Sequence, residues 1–146
     1  MAEGLGLAAS VIAVIGLAGQ VVQGCQYIKG WVGDFRSAPK DVQDLMRELD
    51  TIQQSARILE QLEKKFDANI QAQLDPALQL CFDAVEEIRK KIEDADSTFK
   101  EPISRRRAKG WHRLKVVFGK QDLQTAVDKL SRAKATLGVA QSNVLL

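Results

Sequence analysis

Few side chains in this sequence could do chemistry. His112 is the only histidine, and Cys25 and Cys81 are the only cysteines, among 146 residues. An imidazole titrates near neutral pH, and a thiolate can attack a carbon or bind a metal. A zinc centre draws about four ligands from Cys, His and carboxylates, so such a centre is poorly supplied here. Two cysteines far apart in sequence make no disulfide framework and read as buried, reduced thiols. His112 stands among Arg107, Lys109, Arg113 and Lys115 with no carboxylate beside it in sequence, and reads as a solvated surface side chain. Glu86 with Glu87, and Asp94 with Asp96, read as ordinary helix-surface charges. Gly4, Gly6 and Ala9 fit a loose G-x-G-x-x-A dinucleotide fingerprint, but that motif needs a strand before it and only three residues precede it. There is no Walker lysine motif, no G-x-S-x-G elbow and no nucleophile–base pair. The expectation is a protein that is not an enzyme, with no cofactor and no metal site.

The basic cluster Arg105, Arg106, Arg107, Lys109, Arg113 and Lys115 carries more information. Three readings fit it. It can be a solvated face that pairs with acidic helices elsewhere in the fold. It can bind anionic lipid head groups, at about 1 kcal/mol per basic residue near the surface. It can bind nucleic-acid phosphates, although a formal net charge of only +2 disfavours a dedicated nucleic-acid binder. The small net charge hides a sorting along the chain. Residues 1–36 are neutral, residues 37–99 carry −6 and residues 100–146 carry +8. The acidic middle is expected to form a water-facing wall.

These residues need helices to position them. The composition is rich in Ala, Leu, Gln, Glu, Lys and Arg, and no segment alternates as a strand flanked by hairpin signals. Residues 4–28 contain no charge and would span about 38 Å as a straight helix. Five glycines and several polar residues interrupt this run, and no basic n-region precedes it, so it reads as neither a strong transmembrane segment nor a signal peptide. Its apolar residues fall nearly all round a helix, with Leu7, Val11, Ile15, Ala18, Val22 and Cys25 on one side and Leu5, Ile12 and Leu17 off it. Such a helix is the centre of a bundle or a membrane helix. Ser37 and Pro39 signal the start of a second helix with the stripe Val42, Leu45, Met46, Leu49, Ile52, Ala56, Leu59 and Leu62. Asp75 and Pro76 signal a third, either starting there or continuing through a kink from residues 67–74, with the stripe Leu78, Cys81, Val85, Ile88 and Ile92. Residues 96–104 read as a loop. Trp111, Leu114, Val117 and Phe118, then Leu123, Ala126, Val127, Leu130, Ala133 and Leu137, complete the pattern, with Gly119 as a break or a tolerated interior glycine. The fold class is all-α: one domain over residues 1–146, a bundle of about four long helices. A buried hydrophobic N-terminal helix occupies residues 1–33 and amphipathic helices occupy residues 37–146.

The order and spacing of three segments add a resemblance. The opening MAEGLGLAASVIAVIGLAGQVVQG, the helix DVQDLMRELDTIQQSARILEQL and the closing WHRLKVVFGKQDLQTAVDKLSRAKATLGVAQ together resemble the HeLo-like N-terminal domain of fungal STAND (NOD-like receptor) proteins. In the closing segment the resemblance rests on Trp111, Leu114, Leu123, Leu130, Thr136 and Leu137. Gly4 departs from it, because many relatives carry proline there. The resemblance implies a helical bundle acting as a cell-death effector in fungal incompatibility and innate immunity, similar more distantly to the executioner bundle of mixed-lineage kinase-like necroptosis proteins. It implies a domain that is cytoplasmic at rest and reaches the plasma membrane when activated by an upstream amyloid-motif or NOD-like receptor partner. It then self-associates and permeabilises the membrane through its first helix. On that reading Leu5, Leu7, Val11, Ile12, Val14, Ile15 and Leu17 insert, and Gly6, Gly16 and Gly19 loosen the helix. Arg105, Arg106, Arg107, Lys109, Arg113 and Lys115 meet anionic lipid head groups. No nucleic-acid partner is expected. The alternative is a non-catalytic interaction or adaptor module of a fungal NOD-like receptor.

Overall fold

A computed structural model describes the backbone of residues 2–61, 68–98 and 110–145, and the side chains of residues 14–61, 71–96 and 110–143. Four helices account for these residues except the connection 33–39: α1 (Ala2–Val32), α2 (Lys40–Gln61), α3 (Ala68–Thr98) and α4 (Gly110–Leu145). No strand occurs among the described residues. The all-α bundle expected from the periodicity is the observed architecture.

Cross-helix contacts fix the topology. Lys29 reaches Asp50 and Gly19 lies beside Glu60, so α1 and α2 run antiparallel. Gly24 lies on Val85 and Trp31 reaches Asp96, so α1 and α3 run parallel. Lys91 pairs with Asp122 while Cys81 meets Ala133, so α3 and α4 are antiparallel. Lys134 pairs with Glu48 and Gln141 meets Ser55, so α4 and α2 are parallel. The helices therefore ring the core in the order α1, α2, α4, α3, with α1 opposite α4 and α2 opposite α3.

The stripes read from the sequence are the core. Val42, Leu45, Met46, Leu49, Ile52, Ala56 and Leu59 of α2 are buried, as are Leu78, Cys81, Val85, Ile88 and Ile92 of α3. Trp111, Leu114, Phe118, Leu123, Val127, Leu130, Ala133 and Leu137 supply the α4 side. Leu62 lies outside the described residues. Helices of this kind are held mainly by burial of an apolar face, at about 1.5–3 kcal/mol for each large side chain.

Element boundaries are defined or shifted at five places. α1 ends on Gly33, whose φ of 67° lies in the left-handed region; its N–H donates to the Lys29 carbonyl at 2.9 Å, closing the helix. α2 begins at Lys40, with the Pro39 carbonyl accepting from the Gln43 N–H at 3.1 Å, and Ser37 sits in the turn that precedes it. α3 begins at Ala68 and passes through Pro76, which is therefore interior and not the first turn. Proline there removes the hydrogen bond to the Ala72 carbonyl, but Ala72 and Pro76 both face water while Gln71, Leu74 and Ala77 are buried on the other side. Hydration of one carbonyl and burial of Leu74 together carry the helix across the break. α3 also runs to Thr98, past the expected start of a loop. In α4, Gly119 adopts φ 69°, ψ 168°, so it is a break between two helical segments.

Candidate membrane-contacting elements: the first helix and its basic end

α1 has little amphipathic bias, yet from Val14 onward it sits in the bundle with a definite face. Val14, Ala18, Val21, Val22, Cys25, Ile28 and Val32 are buried. The exposed side is Gly16, Gln20, Gln23, Gln26, Tyr27 and Gly30, without a single charge. Lys29 turns instead toward α2, donating to Asp50 at 2.8 Å and to Gln53 at 3.1 Å. Gln53 is one of two buried polar residues among those described, and this bond accounts for its place there.

The expected inserting residues divide. Val14 is buried, and Ile15 and Leu17 are half-buried, with Leu17 packed against the core. Leu5, Leu7, Val11 and Ile12 lie on the helical backbone of α1, and their side chains lie outside those described. Among the described residues no helix is long and apolar enough to cross a membrane.

The glycines also divide. Gly6 falls within helical backbone. Gly16 faces open space, and a β-carbon at Gly19 would meet the Glu60 carboxylate at 2.9 Å. Gly24, absent from the expected set, is the glycine that α1 needs for packing: a β-carbon there would lie 2.7 Å from a Val85 methyl. The sequence signal was present, since Gly24 lies next to Cys25 on the core stripe, but only the register of α3 shows what it faces.

Of the six basic residues, Arg105, Arg106, Arg107 and Lys109 lie outside the described residues. Arg113 and Lys115 are already engaged inside the fold. The Arg113 guanidinium lies 4.6 Å from the centre of the Trp31 ring, a cation–π contact, and the Trp31 indole N–H donates to Asp96 at 3.2 Å. Lys115 lies 3.8 Å from Asp41. Further along α4, Lys129 pairs with Glu87 at 3.0 Å and Lys134 with Glu48 at 2.7 Å. The acids of α2 are thus not a water-facing wall throughout: Asp41 and Glu48 are turned to α4, while Lys40, Arg47 and Arg57 are exposed.

The groups with reactive potential have structural surroundings. Burial, with a smaller contribution from Cys81, pushes the Cys25 thiol up to about 12, and burial pushes Cys81 to about 12 as well. Thiols held protonated are poor nucleophiles. His112 stacks on Trp111 with ring centroids 3.7 Å apart. Glu86 hydrogen-bonds Arg89, which holds its carboxyl below the usual range, and Glu87 pairs with Lys129. Among the described residues no group of three His, Cys, Asp or Glu side chains could hold a metal ion.

Comparison with known families decides where the chain belongs. The family model described as pigment biosynthesis cluster protein PigL N-terminal matches residues 2–146. The chain belongs to this family. The PigL N-terminal family is a fungal domain family related to HeLo-like domains. No curated protein and no solved structure gives a significant match. The matched span takes in all four helices, from the first described residue of α1 to the end of α4.

Proposed function

We propose that this PigL N-terminal domain is a membrane-targeting cell-death effector that self-associates and permeabilises the plasma membrane through its N-terminal helix. The observation that carries the reading is the charge-free run of residues 4–28 within α1, which in its described part has no charge on either the buried side or the exposed stripe Gly16, Gln20, Gln23 and Tyr27. A helix without charge can rest in a protein core or in lipid, because neither setting has to solvate an ion. The family's relation to HeLo-like domains supports the same reading.

Residues 5–17 span about 20 Å as a helix, short of the ~30 Å hydrocarbon core. The tip therefore enters part of the bilayer, and several copies act together to perturb it, each adding to a weak individual affinity. Arg105, Arg106, Arg107 and Lys109 would meet the anionic head groups, with Arg113 and Lys115 available only if their intramolecular contacts are given up.

Those contacts favour a second reading, a non-catalytic interaction module in which α1 stays in the core in every state. Removing residues 2–13 separates the two, since every described core side chain remains. With dye-loaded anionic vesicles and an artificially oligomerised domain, the effector reading expects leakage from the intact chain and none from the truncated one. No leakage from the intact, oligomerised chain refutes it. The interaction module expects no vesicle association from either.

A further inference from the structure

We infer that residues 110–118, the first segment of α4, form a latch: a short helix separable from the bundle, hinged at Gly119, that holds the C-terminal end of α1. Two glycines bracket it. At Gly119 the φ of 69° with ψ of 168° is a conformation that only glycine adopts readily, so the helical hydrogen-bond ladder of α4 is interrupted there. At Gly110 the backbone lies directly on the end of α1, and a β-carbon would sit 2.4 Å from the Trp31 carbonyl oxygen and 2.5 Å from that of Val32. This is backbone against backbone, so no side chain can swing aside to make room.

Between the two glycines each contact is to a different helix. Arg113 covers the Trp31 ring of α1, Lys115 reaches Asp41 at the start of α2, and Phe118 lies under Lys91 of α3 at 4.9 Å. Trp111, Leu114 and Phe118 fill the end of the core beneath it. On the other side of Gly119, α4 makes its own long-range contacts, to Glu87, Glu48 and Ser55. The segment can therefore lift without breaking the contacts of the rest of α4. Its release uncovers Trp31, Val32 and the apolar underside of residues 111–118, which makes it a built-in control on how firmly α1 is held. The device does not depend on whether the domain acts on membranes.

The chain carries its own reporter, because its two tryptophans, Trp31 and Trp111, both lie at this junction. Hydrogen exchange on the intact chain, read by mass spectrometry, should show amides of residues 111–118 exchanging at least ten-fold faster than those of residues 123–137 in the same helix. Gly110→Ala should then red-shift tryptophan emission and speed exchange another ten-fold in residues 29–33 and 111–118, with helical content by circular dichroism unchanged. Arg113→Ala, which introduces no backbone collision, should give the same pattern at about three- to five-fold, and it is the deciding variant if Gly110→Ala does not fold. Equal exchange on both sides of Gly119 in the unaltered chain overturns the inference. So does Arg113→Ala that leaves residues 111–118 unaffected or loosens all four helices uniformly.

Discussion

The close approach of α1 and α3 at Gly24 gives a sharp test of how the first helix is seated. In most helix interiors Gly→Ala stabilises by about 1 kcal/mol, because alanine loses less backbone freedom on folding. Gly16 and Gly24 lie in the same helix, but a β-carbon at Gly16 meets nothing within 4 Å, whereas at Gly24 it would lie 2.7 Å from a Val85 methyl. Gly16→Ala should therefore stabilise by about 0.5–1 kcal/mol. Gly24→Ala gains the same propensity but must push Val85 or spread the helices, and overpacking of this kind costs about 1–3 kcal/mol. The net expectation for Gly24→Ala is a destabilisation of about 1 kcal/mol. With about 0.3 kcal/mol per kelvin of unfolding entropy for a chain of this size, the two variants should melt about 5 °C apart. A double-mutant cycle identifies the cause. Val85→Ala alone leaves a cavity, and the added β-carbon of Gly24→Ala partly fills it, so the pair should show a favourable coupling of about 1–2 kcal/mol. Urea denaturation of the four proteins measures every term. If Gly24→Ala stabilises as much as Gly16→Ala, or the cycle closes with no coupling, the helices do not meet at this point and the seating of α1 is wrong.

The remaining expectations concern charge. Both thiols titrate at a higher pH folded than unfolded, so the stability they contribute is complete below the ordinary value of 9.0 and is lost as pH rises toward about 12. At pH 10 that loss is on the order of 1 kcal/mol per thiol, and urea midpoints at pH 8 and pH 10 should differ much less in a Cys25→Ala, Cys81→Ala variant; an unchanged difference would contradict their burial. Glu86 has the opposite sign: its carboxyl is lowered by the hydrogen bond from Arg89, so its contribution is present above the ordinary value of 4.5 and fades as pH falls through the folded one. Glu86→Gln should flatten the acid limb of the stability profile, and an identical limb would refute the bond. Lys134 faces Glu48, which is only 17% exposed, whereas Lys129 and Glu87 are 50% and 56% exposed. Lys134→Ala should thus cost about 1–2 kcal/mol and Lys129→Ala under about 0.5, and equal losses by chemical denaturation would show that burial does not grade these pairs.

Much of the architecture was legible in the sequence because burial imposes a period. Val42 to Leu59 and Leu78 to Ile92 carry a 3.6-residue repeat that has no other economical explanation, and each named position in those runs is buried. The misplacements have local causes. Pro76 looked like a start signal, but a proline on the wetted side of a helix forfeits only a hydrogen bond that water can replace. Gly119 was ambiguous because a glycine inside an apolar repeat carries no mark of its φ. The face of α1 was the hardest to read: with apolar side chains nearly all round, periodicity alone assigns no inside, and the choice is made by partners such as Val85 and Asp50. Gly24 and Trp31 matter through what they touch, which no spacing rule discloses.

The sorting of charge along the chain acquires a specific meaning once the helices are placed. A basic end and an acidic middle could serve a partner, or each other. In the fold Lys115, Lys129 and Lys134 of α4 meet Asp41, Glu87 and Glu48, and Arg113 lies over Trp31. These contacts cross from α4 to all three other helices, so this share of the positive charge is engaged within the fold. Arg105, Arg106, Arg107 and Lys109 lie outside the described residues. For Lys115, Lys129 and Lys134 the fold displays the pairing reading, as an addition to the burial of apolar faces that mainly holds the helices.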